Sequence, residues 1–107
     1  MSSLHPCVYK DESLEIYLEE TDVGLWFIHC YSRKWNMKAY KHYLNVFAEL
    51  MYQLGEKGIT NIYAAIDNPK LEKFASMFGF IEDNWSVVDS TGKEREVWLW
   101  SKQQQQH

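Results

Sequence analysis

Residues 59–80 read ITNIYAAIDNPKLEKFASMFGF, and this stretch decides the fold. Asn61–Ile66 is a short apolar run, the signature of a buried strand. Asn68 followed by Pro69 marks a helix start: an asparagine cap whose side chain takes a free N–H, then a proline at the first helical position. Leu71, Phe74, Ala75 and Phe78 continue as an apolar stripe until Gly79, which can adopt the left-handed conformation that ends a helix. Phe80 and Ile81 resume as a strand.

Upstream, the period from Met37 is helical. Tyr40, Tyr43, Leu44, Phe47, Leu50, Met51 and Leu54 form one stripe, with Lys38, Lys41, His42, Asn45, Glu49 and Gln53 mostly opposite. Gly55 and Gly58 are expected to end this helix. Residues 24–31 (GLWFIHCY) are apolar on both faces, as in a strand covered on two sides. Leu14–Glu20 alternates, with Leu14, Ile16 and Leu18 facing one way and Glu15, Tyr17 and Glu19 the other. Cys7–Lys10 is a candidate for a short further strand. Downstream, residues 85–88, a turn at 89–92 and residues 94–100 predict a hairpin.

The predicted order is strand, strand, helix, strand, helix, strand, strand. This is an α/β fold built on a twisted mixed sheet with two main helices. Strands apolar on both faces lead us to expect helices on both sides of the sheet.

The chain has 107 residues, enough for one domain and too few for two independent cores. We assign residues 1–102 to that domain and 103–107 to a polar tail without a core of its own, or a remnant of cloning. Hydrophobic residues at 46% and charged residues at 24% are ordinary for a soluble folded protein. The net charge of −4 and the absence of a long Lys/Arg run argue against nucleic acid as a main partner. No apolar stretch approaches the ~20 residues of a membrane span, and the N-terminus lacks a signal-peptide core. Cys7 and Cys30 stand far apart without metal-ligand or CxxC spacing, which suits free thiols in a reducing cytoplasm.

The segment Asn68-Pro-Lys-Leu-Glu-Lys-Phe74-Ala75-Ser-Met-Phe-Gly79-Phe80 resembles the helix after the fifth strand of the GNAT N-acetyltransferase superfamily, N-x-x-[A/S]-x-x-[F/L]-Y-x-x-x-G-F. Asn68, Phe74, Gly79 and Phe80 fall in register with it. The resemblance covers residues 14–102, with the family's first strand and first two helices missing or reduced. It implies acetyl-CoA held between residues 24–31 and Asn61–Ile66, with Asn68 and Phe74 beside the cofactor's arm. The family's pyrophosphate loop, [Q/R]-x-x-G-x-[G/A], corresponds to Arg33, Lys34, Trp35, Asn36, Met37 and Lys38. Arg33 fits its first position, Asn36 replaces a glycine and is able to turn left-handed, and Lys38 replaces a small residue.

Two readings of this basic segment stand together: a phosphate site, or a solvated helix start. The family's tyrosine general acid corresponds to Ala75, which has no proton to give; Tyr63 and Tyr40 are possible substitutes. For the base, Glu15, Glu19 and His29 are candidates. The carboxylates also fit an exposed strand face, and His29 also fits a hydrogen-bonded structural histidine.

A narrower resemblance is to small acetyltransferase-like proteins of tailed phages, some of them internal virion or head proteins. It rests on the Leu25-Trp-Phe-Ile strand, a basic aromatic turn, a Lys/Tyr-rich helix and the N-x5-F-x4-G spacing, and implies a host-cytoplasm or virion location. Trp98 and Trp100 alternate with Val97 and Leu99, so the last hairpin carries apolar area on both faces. That area serves as core on both sides, or as an interface for a protein partner or a second copy.

Overall fold

A computed structural model describes residues 6–34, 36–66, 68–88 and 91–102. The predicted tail and half of the predicted 89–92 turn lie outside them. The elements are β1 (Cys7–Lys10), β2 (Leu14–Glu20), β3 (Trp26–Ser32), α1 (Met37–Glu56), β4 (Asn61–Ile66), α2 (Pro69–Phe78), β5 (Ile81–Val88) and β6 (Glu94–Ser101). They form an α/β fold on one six-stranded mixed sheet, ordered β1-β2-β3-β4-β6-β5. β3 and β4 run parallel, and every other neighbouring pair is antiparallel.

The expectation of helices on both faces is corrected. α1 and α2 contribute to one core together with Leu14, Ile16, Leu18, Ile28, Ile62, Ala64, Ile66 and Trp100, all from a single face of the sheet. Topology explains this. The β3–α1–β4 and β4–α2–β5 crossovers join strands that point the same way and step across the sheet in the same direction. A right-handed hand for each therefore puts both helices on the same side. Phe74 is their joint: its ring meets Tyr40, Tyr43 and Phe47 with centroids 6.2, 5.9 and 5.1 Å away.

The opposite face has a smaller aromatic cover. Phe27 of β3 and Tyr63 of β4 pack at 5.6 Å, and Trp85 caps both edge-on at 6.3 and 5.8 Å. Trp85 reaches them from the outermost strand because β5 slips register against β6 between Glu82 and Ser86. Asn84 there takes a left-handed φ of 62°, which asparagine tolerates better than most residues.

The caps follow the sequence closely. The Asn68 side chain accepts the Lys70 N–H at 2.8 Å, and Gly79 closes α2 with φ 113°. α1 ends differently from expectation: Gly55 lies inside the helix, Lys57 is the C-cap, and Gly58 makes the left-handed turn at φ 86°. No described helix is long and apolar enough to cross a membrane.

Candidate functional site

Among the described residues, β3 and β4 register through one pair, Phe27 opposite Tyr63. Toward their C-terminal ends the strands enclose a cleft of about 180 Å³, lined by residues 28–31 of β3 and 64–66 of β4. Because side chains alternate along a strand, the cleft communicates with both faces of the sheet. On the helix side its walls are Phe47, Leu71, Phe74, Ala75 and Phe80, together with Ile28, Cys30, Ala64 and Ile66. On the other side are His29, Tyr31, Ala65 and Arg95.

His29 is held from β2. Its Nε2 lies 2.9 Å from Glu19 Oε1, both groups being about two-thirds shielded. A carboxylate oxygen only accepts, so Nε2 carries the hydrogen and Nδ1 is the basic nitrogen of the neutral ring. Glu19 sits diagonally from His29 in the ladder, since Tyr17 is directly opposite it. Sequence alternation put Glu19 on the polar face of β2 and left His29 as a lone polar residue on an apolar strand; the pairing needed the β2–β3 register. Arg95 was not singled out at all, because a lone arginine in a hairpin carries no local signal.

The other catalytic candidates lie elsewhere. Glu15 accepts from the Tyr17 hydroxyl at 2.7 Å and from Arg33 at 2.8 Å, which hold its carboxyl below the usual range. The same bond pushes the Tyr17 phenol up to about 12. Tyr63 belongs to the aromatic cover with Phe27 and Trp85 and lines no part of the cleft. Cys30 lines it as a thiol, its pKa pushed up to about 12 by burial.

Of the residues expected at the cofactor, Phe74 lines the cleft and Asn68 caps the helix that forms its wall. Arg33 is committed to Glu15 and to the Glu12 carbonyl at 3.4 Å. Asn36 is extended, with φ −140°, and its side chain caps α1 by accepting the Ala39 N–H at 2.8 Å. It therefore does not make the left-handed turn allowed for it. Lys34 and Lys38 are exposed. The loop itself is pinned by Tyr43, fully buried, whose hydroxyl lies 2.9 Å from the Lys34 carbonyl and 2.7 Å from Ser32 Oγ.

No described group of three or more His, Cys, Asp or Glu is arranged to hold a metal ion. Neither models of known protein families nor curated proteins give a match to this chain. The site therefore has to be read from its own chemistry. That chemistry is an apolar slot between two parallel strand ends, opening beside a histidine oriented by a carboxylate.

Proposed function

We propose that the chain is a minimal GNAT-like N-acetyltransferase that takes the acyl end of acetyl-CoA into the β3–β4 cleft. The observation that carries this reading is the cleft itself, opening past the Phe27–Tyr63 pair with His29 at one side. Its 180 Å³ falls short of the ~300–1,000 Å³ of a whole small-molecule site, which suits the narrow arm of a longer ligand. Leu71, Phe74 and Ala75 give that arm an apolar wall, and the exposed Lys34 and Lys38 supply charge for phosphates.

When bound, acetyl-CoA supplies an activated thioester carbonyl to the acceptor amine. His29 takes the proton that the amine nitrogen sheds, and Glu19 keeps the imidazole in the tautomer that can accept it. Ala75 offers no proton to the departing thiolate, so that proton comes from the His29 imidazolium or from water. Amine-dependent release of free CoA thiol, measured across a panel of primary amines, tests the reading.

A second reading is a non-catalytic GNAT-like protein, in keeping with the phage resemblance, that acts through protein contacts. Ala75, the engaged Arg33 and the extended Asn36 favour it. So do Ile81, Trp85 and Val88, which expose apolar area along the edge strand β5. Trp100 is core, and that exposed area lies on β5 of the Trp-bearing hairpin. Cofactor binding without transfer to any amine would move the chain to this second reading.

A further inference from the structure

A second concavity lies on the far side of α1, against the edge strand β1. It encloses about 430 Å³, within the ~300–1,000 Å³ range of small-molecule sites. Val8, Val46 and Leu50 give it an apolar floor, and Tyr9 and His42 form one end.

That end is built. Asp11 Oδ2 accepts the Tyr9 hydroxyl at 2.5 Å and lies 2.7 Å from His42 Nε2. Its other oxygen accepts Ser13 N–H, Ser13 Oγ–H and Leu14 N–H at 2.8, 3.1 and 2.9 Å. One carboxylate thus fixes a phenol and an imidazole on the groove wall, with rings 6.5 Å apart. With Nε2 turned to Asp11, the remaining ring nitrogen of His42 is an acceptor when the imidazole is neutral.

The carboxylate in the groove's lining is the exposed Glu49, which accepts from Gln53 Nε2 at 3.1 Å. The lining includes neither lysine nor arginine, and Asp11 stands directly behind Tyr9 and His42. The two carboxylates outweigh His42 whether its ring is neutral or protonated. Tyr9 adds a π-face of the kind that attracts cations.

We propose that this groove binds a small organic cation with an apolar body, an alkyl- or arylalkylammonium. The body lies on Val8, Val46 and Leu50, and the ammonium is directed to Glu49 and the His42 end. This site is separate from the β3–β4 cleft and does not depend on how that cleft is read.

The test is an NMR titration of the amide spectrum of the full chain with 2-phenylethylammonium, with 2-phenylethanol and 3-phenylpropionate as neutral and anionic controls. The expected result is saturable shifts at Tyr9, His42, Val46 and Glu49, with the alcohol binding about fivefold or more weakly. Glu49→Gln, an exposed change that leaves the core intact, is expected to weaken the ammonium about threefold to fivefold. Equal binding of the alcohol or the carboxylate overturns the proposal, as do shifts confined to the cleft. So does concentration-dependent shifting of the groove amides without ligand, which would make the groove a contact between copies.

Discussion

Glu19 Oε1 stands 2.9 Å from His29 Nε2, joining β2 to β3 on the sheet face that carries no helix. Under the transferase reading, His29→Ala lowers kcat by about 10²–10⁴-fold, the usual contribution of a general base. Glu19→Ala lowers kcat more than it changes KM for acetyl-CoA, because the imidazole loses its orienting acceptor and not its place. Steady-state kinetics at several pH values separate the two effects. Equal rates for wild type and His29→Ala would remove the histidine from the chemistry.

The Asp11 hub makes an acid-sensitive contribution to stability. Hydrogen bonds from Tyr9, then His42 and Ser13, hold its carboxyl well below the usual carboxylate range. A folded-state value below the unfolded ~3.9 stabilises the fold above about pH 4, and this is lost as pH falls further. Asp11→Asn is therefore expected to flatten the fall in urea midpoint between about pH 4 and pH 2. An unchanged slope would mean that the network contributes nothing measurable.

At the alkaline end the sign reverses. The Tyr17 phenol, pushed up to about 12 by its bond to Glu15, stabilises the fold fully below its unfolded value of about 10. That contribution is lost as pH rises toward 12. Tyr17→Phe is expected to remove this part of the alkaline loss, read by circular dichroism across the same range. The same steepness in both proteins would show that the bond is not made in solution.

The two cysteines should differ sharply in reactivity. Cys7 is exposed, whereas Cys30 is half-buried with its thiol pushed up to about 12 by desolvation. Since the thiolate is the reactive species, a disulfide reagent at pH 8 is expected to label one fast equivalent in the native protein and a second only on unfolding. Cys7→Ser should abolish the fast phase. Two fast equivalents would place Cys30 outside the cleft wall.

Phe74→Ala is expected to cost about 3–5 kcal/mol, since the ring is 3% exposed and joins both helices through three aromatic neighbours. Asn68→Ala should cost about 1 kcal/mol through the lost cap. Chemical denaturation measures both. A reversed order would mean that α2 is held by its start and not by its packing.

Local rules made much of this legible. The Asn68-Pro69 start, the Phe74 anchor and the Gly79 stop are each set by neighbours in the chain, and all appear where expected. Helix placement needed more, because the side on which α2 packs follows from where β5 joins the sheet. That β6 inserts between β4 and β5, leaving β5 at the edge, has no mark in any short window. The same holds for the site. His29 was visible as a polar residue on an apolar strand, but its partner Glu19 is ten residues away across a ladder. Asn36 was legible as a residue tolerant of left-handed backbone; its choice to cap α1 depends on the helix behind it.

If acetyl-CoA enters the β3–β4 cleft as proposed, isothermal titration of the protein with the cofactor will detect it. The expected result is saturable heat with about one site and a dissociation constant in the micromolar range. Phe74→Leu, which narrows the apolar wall while keeping the core filled, should weaken that binding more than a surface change such as Lys57→Ala. No heat at high micromolar cofactor, with the protein shown to be folded, would rule out acetyl-CoA as the ligand of this cleft.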